Sequence, residues 1–126
     1  MTLRHDCKRD GCYKDAHLPD WGFLDDCFPH RVSVSDIDGV VELDGQVMFL
    51  EWKQHTSKVT AGQVRMYRTL TKLFSGICVL IIFGPLDEPE SIQLYRDGKV
   101  ILKKEADKKY IKHLMSRWAI STGRMK

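Results

Sequence analysis

Hydrophobic positions along the chain follow the spacing of strands in some segments and of helices in others. Residues 77–83 are ICVLIIF without interruption, which is typical of a strand buried on both faces of a sheet. Residues 64–74 and 111–118 instead repeat apolar side chains every three or four positions, as the buried faces of two helices do. The repeated positions are Val64, Tyr67, Leu70, Leu73 and Phe74, then Ile111, Leu114, Met115 and Trp118.

Turn and capping residues mark where these elements begin and end. Asp-Gly pairs at residues 44–45 and 97–98 lie between apolar segments, and each pair predicts a tight β-hairpin. Thr60 and Gln63 have the spacing of a helical capping box. A helix should therefore begin near Thr60 and end before Gly76.

Two further helices complete the predicted fold. One follows Asp20, which could cap it, and the last should span residues 105–119. The short helix would place three apolar side chains on one face: Trp21, Leu24 and Phe28. The predicted order α-β-β-α-β-β-β-α gives an α/β fold in which helices flank a central mixed sheet. The length predicts one domain, with a polar arm (1–19), a core (20–83) and a C-terminal part with the second hairpin and the last helix (84–126).

The chain shows no targeting or membrane segment. No stretch reaches about 18 uncharged apolar residues. The N-terminal residues lack the apolar core of a signal peptide. We therefore expect a cytoplasmic protein that makes no membrane contact.

Charge is divided unevenly along the chain. Residues 1–50 contain 5 of the 20 Lys and Arg and 10 of the 17 Asp and Glu, so the remaining residues 51–126 are strongly basic. A basic half suits a polyanionic partner. Two rows of basic residues recur at helical spacing: Arg65, Arg68 and Lys72, then Lys104, Lys108 and Lys112. Each row is either a solvated helix face or a surface that contacts DNA phosphates.

The first hairpin carries charge in otherwise apolar strands. A two-residue turn at 44–45 pairs residues whose numbers add to 89. Asp38 should then face Glu51 and Asp36 should face Lys53, with all four side chains on one face. Directly opposed residues have Cβ atoms about 5 Å apart, and two carboxylates that close repel each other, so one takes up a proton unless a cation joins them. A divalent ion such as Mg²⁺ would fit, with the lysine beside it acting on water. The alternative is an Asp36–Lys53 salt bridge with Asp38 as a turn or bulge residue.

These residues resemble a known nuclease motif. Asp38 followed by Glu-Trp-Lys at 51–53 is similar to the D…(D/E)xK motif of the PD-(D/E)XK nuclease superfamily. The helix predicted directly afterwards begins with QVRMY at 63–67, which resembles the QhxxY motif of the RecB-like and lambda-exonuclease-like branch. The likeness covers residues 20–83 and, loosely, the whole chain. Compact phage or prophage resolvases and trimming nucleases look most similar.

The resemblance implies hydrolysis of DNA phosphodiester bonds with Mg²⁺ or Mn²⁺ on an αβββαβ core. Asp38 and Glu51 would bind the ion, with the backbone carbonyl of Trp52 as a further ligand. Lys53 would position or activate the attacking water, and Gln63 would orient water or phosphate.

The likeness leaves several assignments open. Gln63 could serve only as a cap, and Tyr67, which would support the site, could serve only in core packing. The chain has Ile-Asp at 37–38 where the family has Pro-Asp, so either Asp36 or Asp38 could be the ligand, although the register favours Asp38. Many members also carry a Glu on the first helix; here Asp25 or Asp26 could substitute, or that role is absent.

A zinc site is a separate hypothesis. Cys7, Cys12 and Cys27, with His17 and His30, could assemble one. The Cys-x4-Cys spacing is just inside the usual range, but no second close pair follows. Scattered Cys and His residues in a polar arm are more often inert.

We therefore expect a nuclease that selects DNA by its structure, whether single-stranded, duplex or branched, and takes part in recombination or repair. The setting would be the cytoplasm of a bacterium or of a phage-infected host, and cutting both strands would favour a homodimer. The alternatives are a non-catalytic nucleic-acid-binding or inhibitor protein that keeps the nuclease fold, and a zinc-stabilised interaction module. The choices between endo- and exonuclease and between DNA and RNA stay open.

Overall fold

The chain divides into two compact units, Met1–Asp36 and Ile37–Lys126. The structure is a computed structural model that describes the backbone of residues 20–124 and the side chains of residues 20–121. The predicted polar arm (1–19) therefore lies outside the described residues. Within residues 20–124, no helix is both long and apolar enough to cross a bilayer.

The second unit is built on a five-stranded mixed sheet with the strand order β1-β2-β3-β4-β5. Its elements are β1 (Gly39–Leu43), β2 (Gln46–Lys53), α1 (Ala61–Leu73), β3 (Ile77–Phe83), β4 (Ser91–Arg96), β5 (Lys99–Glu105) and α2 (Lys108–Arg124). Strands β2 and β3 are parallel, since α1 carries the chain between them, and the other neighbouring pairs are antiparallel. The predicted α/β class is confirmed.

The first hairpin has the predicted register but not the predicted length. Pairs run from Leu43 with Gln46 to Gly39 with Leu50, so the paired numbers add to 89. The ladder ends at Gly39, and the prediction that the strand continues through Asp38 and Asp36 was wrong. The turn residue Asp44 has a φ of 54°, which fits the tight two-residue turn.

The second hairpin turns at Asp97 and Gly98, as predicted, with φ values of 55° and 81°. It departs from simple pairing at one point, because the register shifts between Leu94 and Tyr95. A shift of this kind bends and twists the edge strand. Strand β5 pairs with β4 on both sides of this irregularity. Ile101 lies at the irregularity, and its side chain is exposed.

The two helices cover opposite faces of the sheet, so the core has two halves. Tyr67 and Leu70 of α1 pack on the face that we call the α1 face. The other residues packed there are Phe49, Val59, Met66, Val79, Ile81, Phe83 and Tyr95. The opposite face lies under α2 and includes Met48, Leu50, Trp52, Cys78, Leu80, Ile82, Ile92, Leu94, Leu102, Tyr110, Ile111, Leu114, Met115 and Trp118. Strand β3 contributes to both halves, which confirms that it is buried on both faces.

Helix α1 begins as predicted and ends earlier than its apolar pattern suggests. Thr60 is the N-cap, and Thr60 and Gln63 form the predicted capping box. The helix ends at Leu73, and the side chains of Leu73 and Phe74 are largely exposed. They were therefore wrongly assigned to the buried stripe; in the last turn the fully buried side chain is that of Thr71.

The last helix also begins later than predicted. Strand β5 continues to Glu105, and α2 begins at Lys108 after Asp107, whose Oδ1 accepts a hydrogen bond from the Tyr110 N–H at 2.8 Å. Lys104 therefore lies on a strand, and the predicted helical row of Lys104, Lys108 and Lys112 was wrong. The Lys104 Nζ lies 4.0 Å from the centre of the Tyr110 ring, a cation–π contact.

In the first unit, the helix predicted after Asp20 is a short 3-10 helix, Gly22–Cys27, and none of its residues is buried. The Asp20 carboxylate accepts a hydrogen bond from the Gly22 N–H at 2.8 Å. Trp21 and Phe28, which were predicted to share one face of the helix with Leu24, lie just outside Gly22–Cys27 and are exposed.

A buried hydroxyl joins α1 to the second hairpin. The Thr71 side chain is fully buried, and its Oγ1 donates to the Tyr67 carbonyl at 2.8 Å and accepts from the Gly98 N–H at 3.0 Å. Thr71→Val keeps the shape and leaves the Gly98 donor unsatisfied, which should lower the free energy of unfolding by about 1–3 kcal/mol. Thr69→Val, at an exposed position of the same helix, should change it by less than about 0.5 kcal/mol. Urea denaturation of both variants checks this, and equal effects would contradict the role given to Thr71.

Candidate functional site

The charged end of β2 lies on the α1 face of the sheet. Side chains alternate along a strand, so Glu51 and Lys53 share the face of Phe49, which packs in the α1 half of the core. Glu51 is only 3% exposed, and its Oε2 lies 3.8 Å from the Lys53 Nζ. A carboxylate loses most of its hydration at such a position and requires a nearby cation. Lys53 itself keeps 17% of its side chain exposed, so the pair reaches solvent on one side.

Asp38 is brought to this pair by a hydrogen bond to the backbone. Its Oδ2 accepts from the Trp52 N–H at 2.7 Å, and Trp52 is the residue between Glu51 and Lys53. The β1 ladder ends at Gly39, so the Asp38 carboxylate takes the position that the next backbone acceptor would have had. The structure thus places three of the predicted residues around one peptide segment, although Asp38 reaches it by its side chain.

The backbone of Trp52 contributes a further oxygen on the same side. In an antiparallel pair, the N–H and C=O of one residue point toward the same neighbour. The Trp52 N–H is directed to Asp38, and its carbonyl is therefore directed to that side as well. By contrast, the Lys53 carbonyl accepts from the Gly84 N–H at 3.0 Å on the side of β3.

The end of β2 is held rigidly from the opposite face. The indole Nε1 of Trp52 donates to the Gly84 carbonyl at 2.9 Å. Gly84 has a φ of 142°, and a Cβ there would lie 2.4 Å from the Glu88 carbonyl oxygen, so only glycine fits. The loop after β3 and the strand that carries the candidate residues therefore hold each other in place.

Gln63 caps α1 and Tyr67 packs in the core, which are the structural roles that were considered as alternatives for these two residues. The Gln63 Oε1 accepts from the Thr60 N–H at 3.0 Å, and the Thr60 Oγ1 accepts from the Gln63 N–H at 3.1 Å. Tyr67 is 1% exposed, with its ring centre 5.5 Å from that of Tyr95. The Gln63 amide nitrogen takes no part in the capping box, so its role toward water or phosphate stays a prediction.

Asp36 falls in the first unit, as do Asp25 and Asp26. The predicted Asp36–Lys53 pair does not belong to the described ladder, because pairing ends at Gly39. The role of Asp36 stays a prediction.

The donors around Trp52 are of the kind that Mg²⁺ and Mn²⁺ accept. Asp38 and Glu51 offer carboxylate oxygens, and Trp52 offers a carbonyl oxygen; such ions complete their coordination with water. Across residues 20–121, no group of three or more His, Cys, Asp or Glu side chains is arranged to hold a metal ion. The two carboxylates and the carbonyl could therefore supply part of an ion's coordination shell, and water would supply the rest.

The cysteines give no zinc site in the described part of the chain. Cys27 is exposed, while Cys7 and Cys12 lie outside the described residues, so the zinc hypothesis is not tested. Cys78 is buried in the half of the core under α2, and desolvation raises the pKa of its thiol. A buried thiol with a raised pKa is a poor nucleophile, so Cys78 is a core residue.

The basic residues of α1 line a groove between that helix and the turn of the second hairpin, and we call it the α1 groove. It has a volume of about 440 Å³ and is lined by Ala61, Val64, Arg65, Arg68, Thr69, Lys72 and Gly98. No acidic residue is among these lining residues. Lys108 and Lys112 are exposed on α2, which covers the opposite face of the sheet.

Sequence reasoning overlooked polar residues on the second hairpin. Gln93 is in register with Ile81, and Ile81 with Glu51, so Gln93 lies on the α1 face in the same row as the buried carboxylate. Lys103 continues that row on β5. The Asp97-Gly98 pair predicted that β4 and β5 form a hairpin, but no sequence pattern predicted the parallel pairing of β2 with β3.

No protein-family model, curated protein or solved structure matches this chain.

Proposed function

We propose that the protein is a metal-dependent nuclease of the PD-(D/E)XK type that hydrolyses DNA phosphodiester bonds. The observation that carries the proposal is the arrangement at the end of β2. Glu51 is buried beside Lys53, and the Asp38 carboxylate is hydrogen-bonded to the peptide between them. Keeping a carboxylate out of water costs several kcal/mol, and core packing alone would be served as well by an apolar residue. Such a cost is typical of functional sites.

The residues have complementary roles in the proposed reaction. Asp38, Glu51 and the Trp52 carbonyl would hold Mg²⁺ or Mn²⁺, which when bound supplies positive charge against the phosphate and acidifies water. Lys53 positions the attacking water and stabilises the charge that develops on the phosphate oxygens. The attacking water gives up a proton to solvent as its oxygen forms a bond to phosphorus, the bond from phosphorus to one sugar oxygen breaks, and that sugar oxygen takes up a proton from solvent. The Gln63 amide would orient water or phosphate from the first turn of α1.

The local fold supports the proposal in part. The order β1-β2-α1-β3, with the ExK segment at the end of β2 and a helix soon after it, is similar to part of the αβββαβ core. Two strands precede α1 in the described residues, where that core has three. The proposal therefore depends on the site itself more than on the fold.

Cleavage assays with Lys53→Ala test the proposal. Labelled single-stranded, duplex, flap and four-way-junction DNA would be incubated with Mg²⁺, Mn²⁺ or EDTA. The wild type should cleave at least one substrate in a metal-dependent manner, and Lys53→Ala should lose about 100-fold or more in kcat. Lys99→Ala, which removes an exposed lysine at the far end of the sheet, should keep wild-type activity.

Two outcomes would contradict this mechanism. Activity of Lys53→Ala within about tenfold of wild type would remove Lys53 from the mechanism, because loss of a charged group at the reaction centre costs more. Absence of cleavage by the wild type, together with tight DNA binding, would instead favour the non-catalytic binding protein.

Metal binding should depend on both carboxylates. Asp38→Asn keeps an oxygen that can accept from the Trp52 N–H, and Glu51→Gln keeps nearly the same volume, so both variants should fold. Each should lose most of its affinity for Mn²⁺ in calorimetry, since one ion needs both charges. Glu88→Gln, at an exposed position, should bind Mn²⁺ like the wild type. Unchanged Mn²⁺ affinity in both site variants would refute the ligand assignment.

The α1 groove should supply most of the phosphate contacts. It is formed by the helix that covers the α1 face and by Gly98, whereas α2 covers the other face. Changing Arg65, Arg68 and Lys72 to Gln should lower the slope of log K against log salt by about 0.9 per residue on duplex DNA, or about 0.7 on single strands. The matched control changes Lys108, Lys109 and Lys112 on α2 and should leave the slope nearly unchanged. The reverse result would move the DNA-binding surface to α2.

A further inference from the structure

A cleft with a mostly apolar lining and several polar side chains lies beside the candidate site, and we call it the β4–β5 cleft. It has a volume of about 350 Å³, which is within the usual range for pockets that bind small molecules. The residues that line it include Thr56, Phe83, Ser91, Gln93, Lys103 and Glu105. Sequence reasoning gave none of these residues a role.

The strand register connects this cleft with the buried carboxylate. Across β2 to β5, one row of paired positions is Glu51, Ile81, Gln93 and Lys103, and the next is Lys53, Phe83, Ser91 and Glu105. Both rows are on the α1 face, since Ile81 and Phe83 pack there. Neighbouring strands are about 4.8 Å apart, so Gln93 and Ser91 lie roughly 10 Å across the sheet from Glu51 and Lys53. A sugar and base attached to a phosphate at Lys53 would reach the cleft.

The side chains of the cleft suit a neutral ring with hydrogen-bonding edges. Phe83 is buried and gives an apolar floor. The Gln93 amide and the hydroxyls of Ser91 and Thr56 can both donate and accept. The charged residues that line the cleft are of both signs, Lys103 and Lys104 with Glu105, whereas those that line the α1 groove are all basic. Nucleobases present a similar mixture of donors and acceptors on their edges.

We propose that the β4–β5 cleft binds the base of the nucleotide next to the scissile phosphate, an inference that rests on the proposed nuclease function. The base can enter only if it is unpaired, because a paired base has its edge occupied and its faces stacked. The substrate class is therefore DNA with an unpaired nucleotide at that position, either a single strand or a junction. Flipping a base out of an intact duplex costs a few kcal/mol, which disfavours fully paired DNA.

An abasic scan tests the cleft directly. A set of single-stranded oligonucleotides would each lack one base, and their affinities would be measured in EDTA so that no cleavage occurs. For the wild type, one abasic position should weaken binding about tenfold, and it should adjoin the bond that is cut when Mg²⁺ is present. In the double variant Gln93→Thr and Lys103→Thr, that position should become equal to the others. The threonines keep β-strand propensity, and Lys99→Thr is the matched control on β5.

A second measurement tests the substrate class. A duplex with one unpaired nucleotide at the identified position should have a kcat/KM about tenfold above that of the fully paired duplex, and the double variant should lose this preference. If thermal unfolding shows that the double variant is destabilised, Lys103→Gln at its exposed position gives the same comparison with a smaller change.

The outcomes separate this inference from the proposed function. If the wild type cleaves DNA but no abasic position weakens its binding, base binding in the cleft is refuted and the nuclease proposal is not. Base binding in the cleft is also refuted if the double variant keeps the sensitive position. A sensitive position that the variant abolishes, without cleavage of any substrate, would support base binding and overturn the nuclease.

Discussion

The candidate site depends on a mismatch in strand length around β2. On one side β2 pairs with β1 only as far as Leu50, while on the other side it pairs with β3 as far as Lys53. The Trp52 N–H is thus directed to a side where no strand remains. The Asp38 carboxylate accepts this N–H at 2.7 Å. This hydrogen bond places a carboxylate at the peptide segment that joins Glu51 to Lys53.

The two faces of the sheet differ in role: on β2, one face contributes only to core packing and the other also carries the candidate functional residues. Under α2, Met48, Leu50 and Trp52 of β2 form a continuous apolar layer with Cys78, Leu80 and Ile82 of β3. The α1 face is equally apolar around Tyr67, but beyond Phe49 it changes to Glu51 and Lys53 on β2 and to Gln93 on β4. On β2 and β3, charge is thus confined to one end of one face. The apolar remainder of the core offsets the cost of burying Glu51.

The position of α1 relative to β2 also determines where the basic residues of that helix lie. Helix α1 begins close to the end of β2, since only residues 54–60 connect them, and its outer side carries Arg65, Arg68 and Lys72 away from that end. From Arg65 to Lys72 the helix rises by about 10 Å. A nucleic acid strand along this groove would extend from the carboxylates toward the turn at Gly98, which also lines the groove. The lysines of α2 lie across the sheet, and Lys104 is engaged with Tyr110.

Local patterns in the sequence were sufficient for much of the fold. The Asp44-Gly45 turn determined the register of the first hairpin, Thr60 and Gln63 determined the start of α1, and the apolar run at 77–83 determined the doubly buried strand, because each depends on neighbours within a few residues. Glu51 and Lys53 on one face followed from strand alternation. Only the tertiary structure decided that β1 stops at Gly39 and that Asp38 acts through its side chain. It also decided that Lys104 belongs to β5 and that Gln93 and Lys103 continue the row of Glu51. These features depend on the parallel pairing of β2 with β3 and on the packing of α1 and α2. Both are contacts between segments that are far apart in the sequence, so their free energy cannot be judged from any short stretch of it.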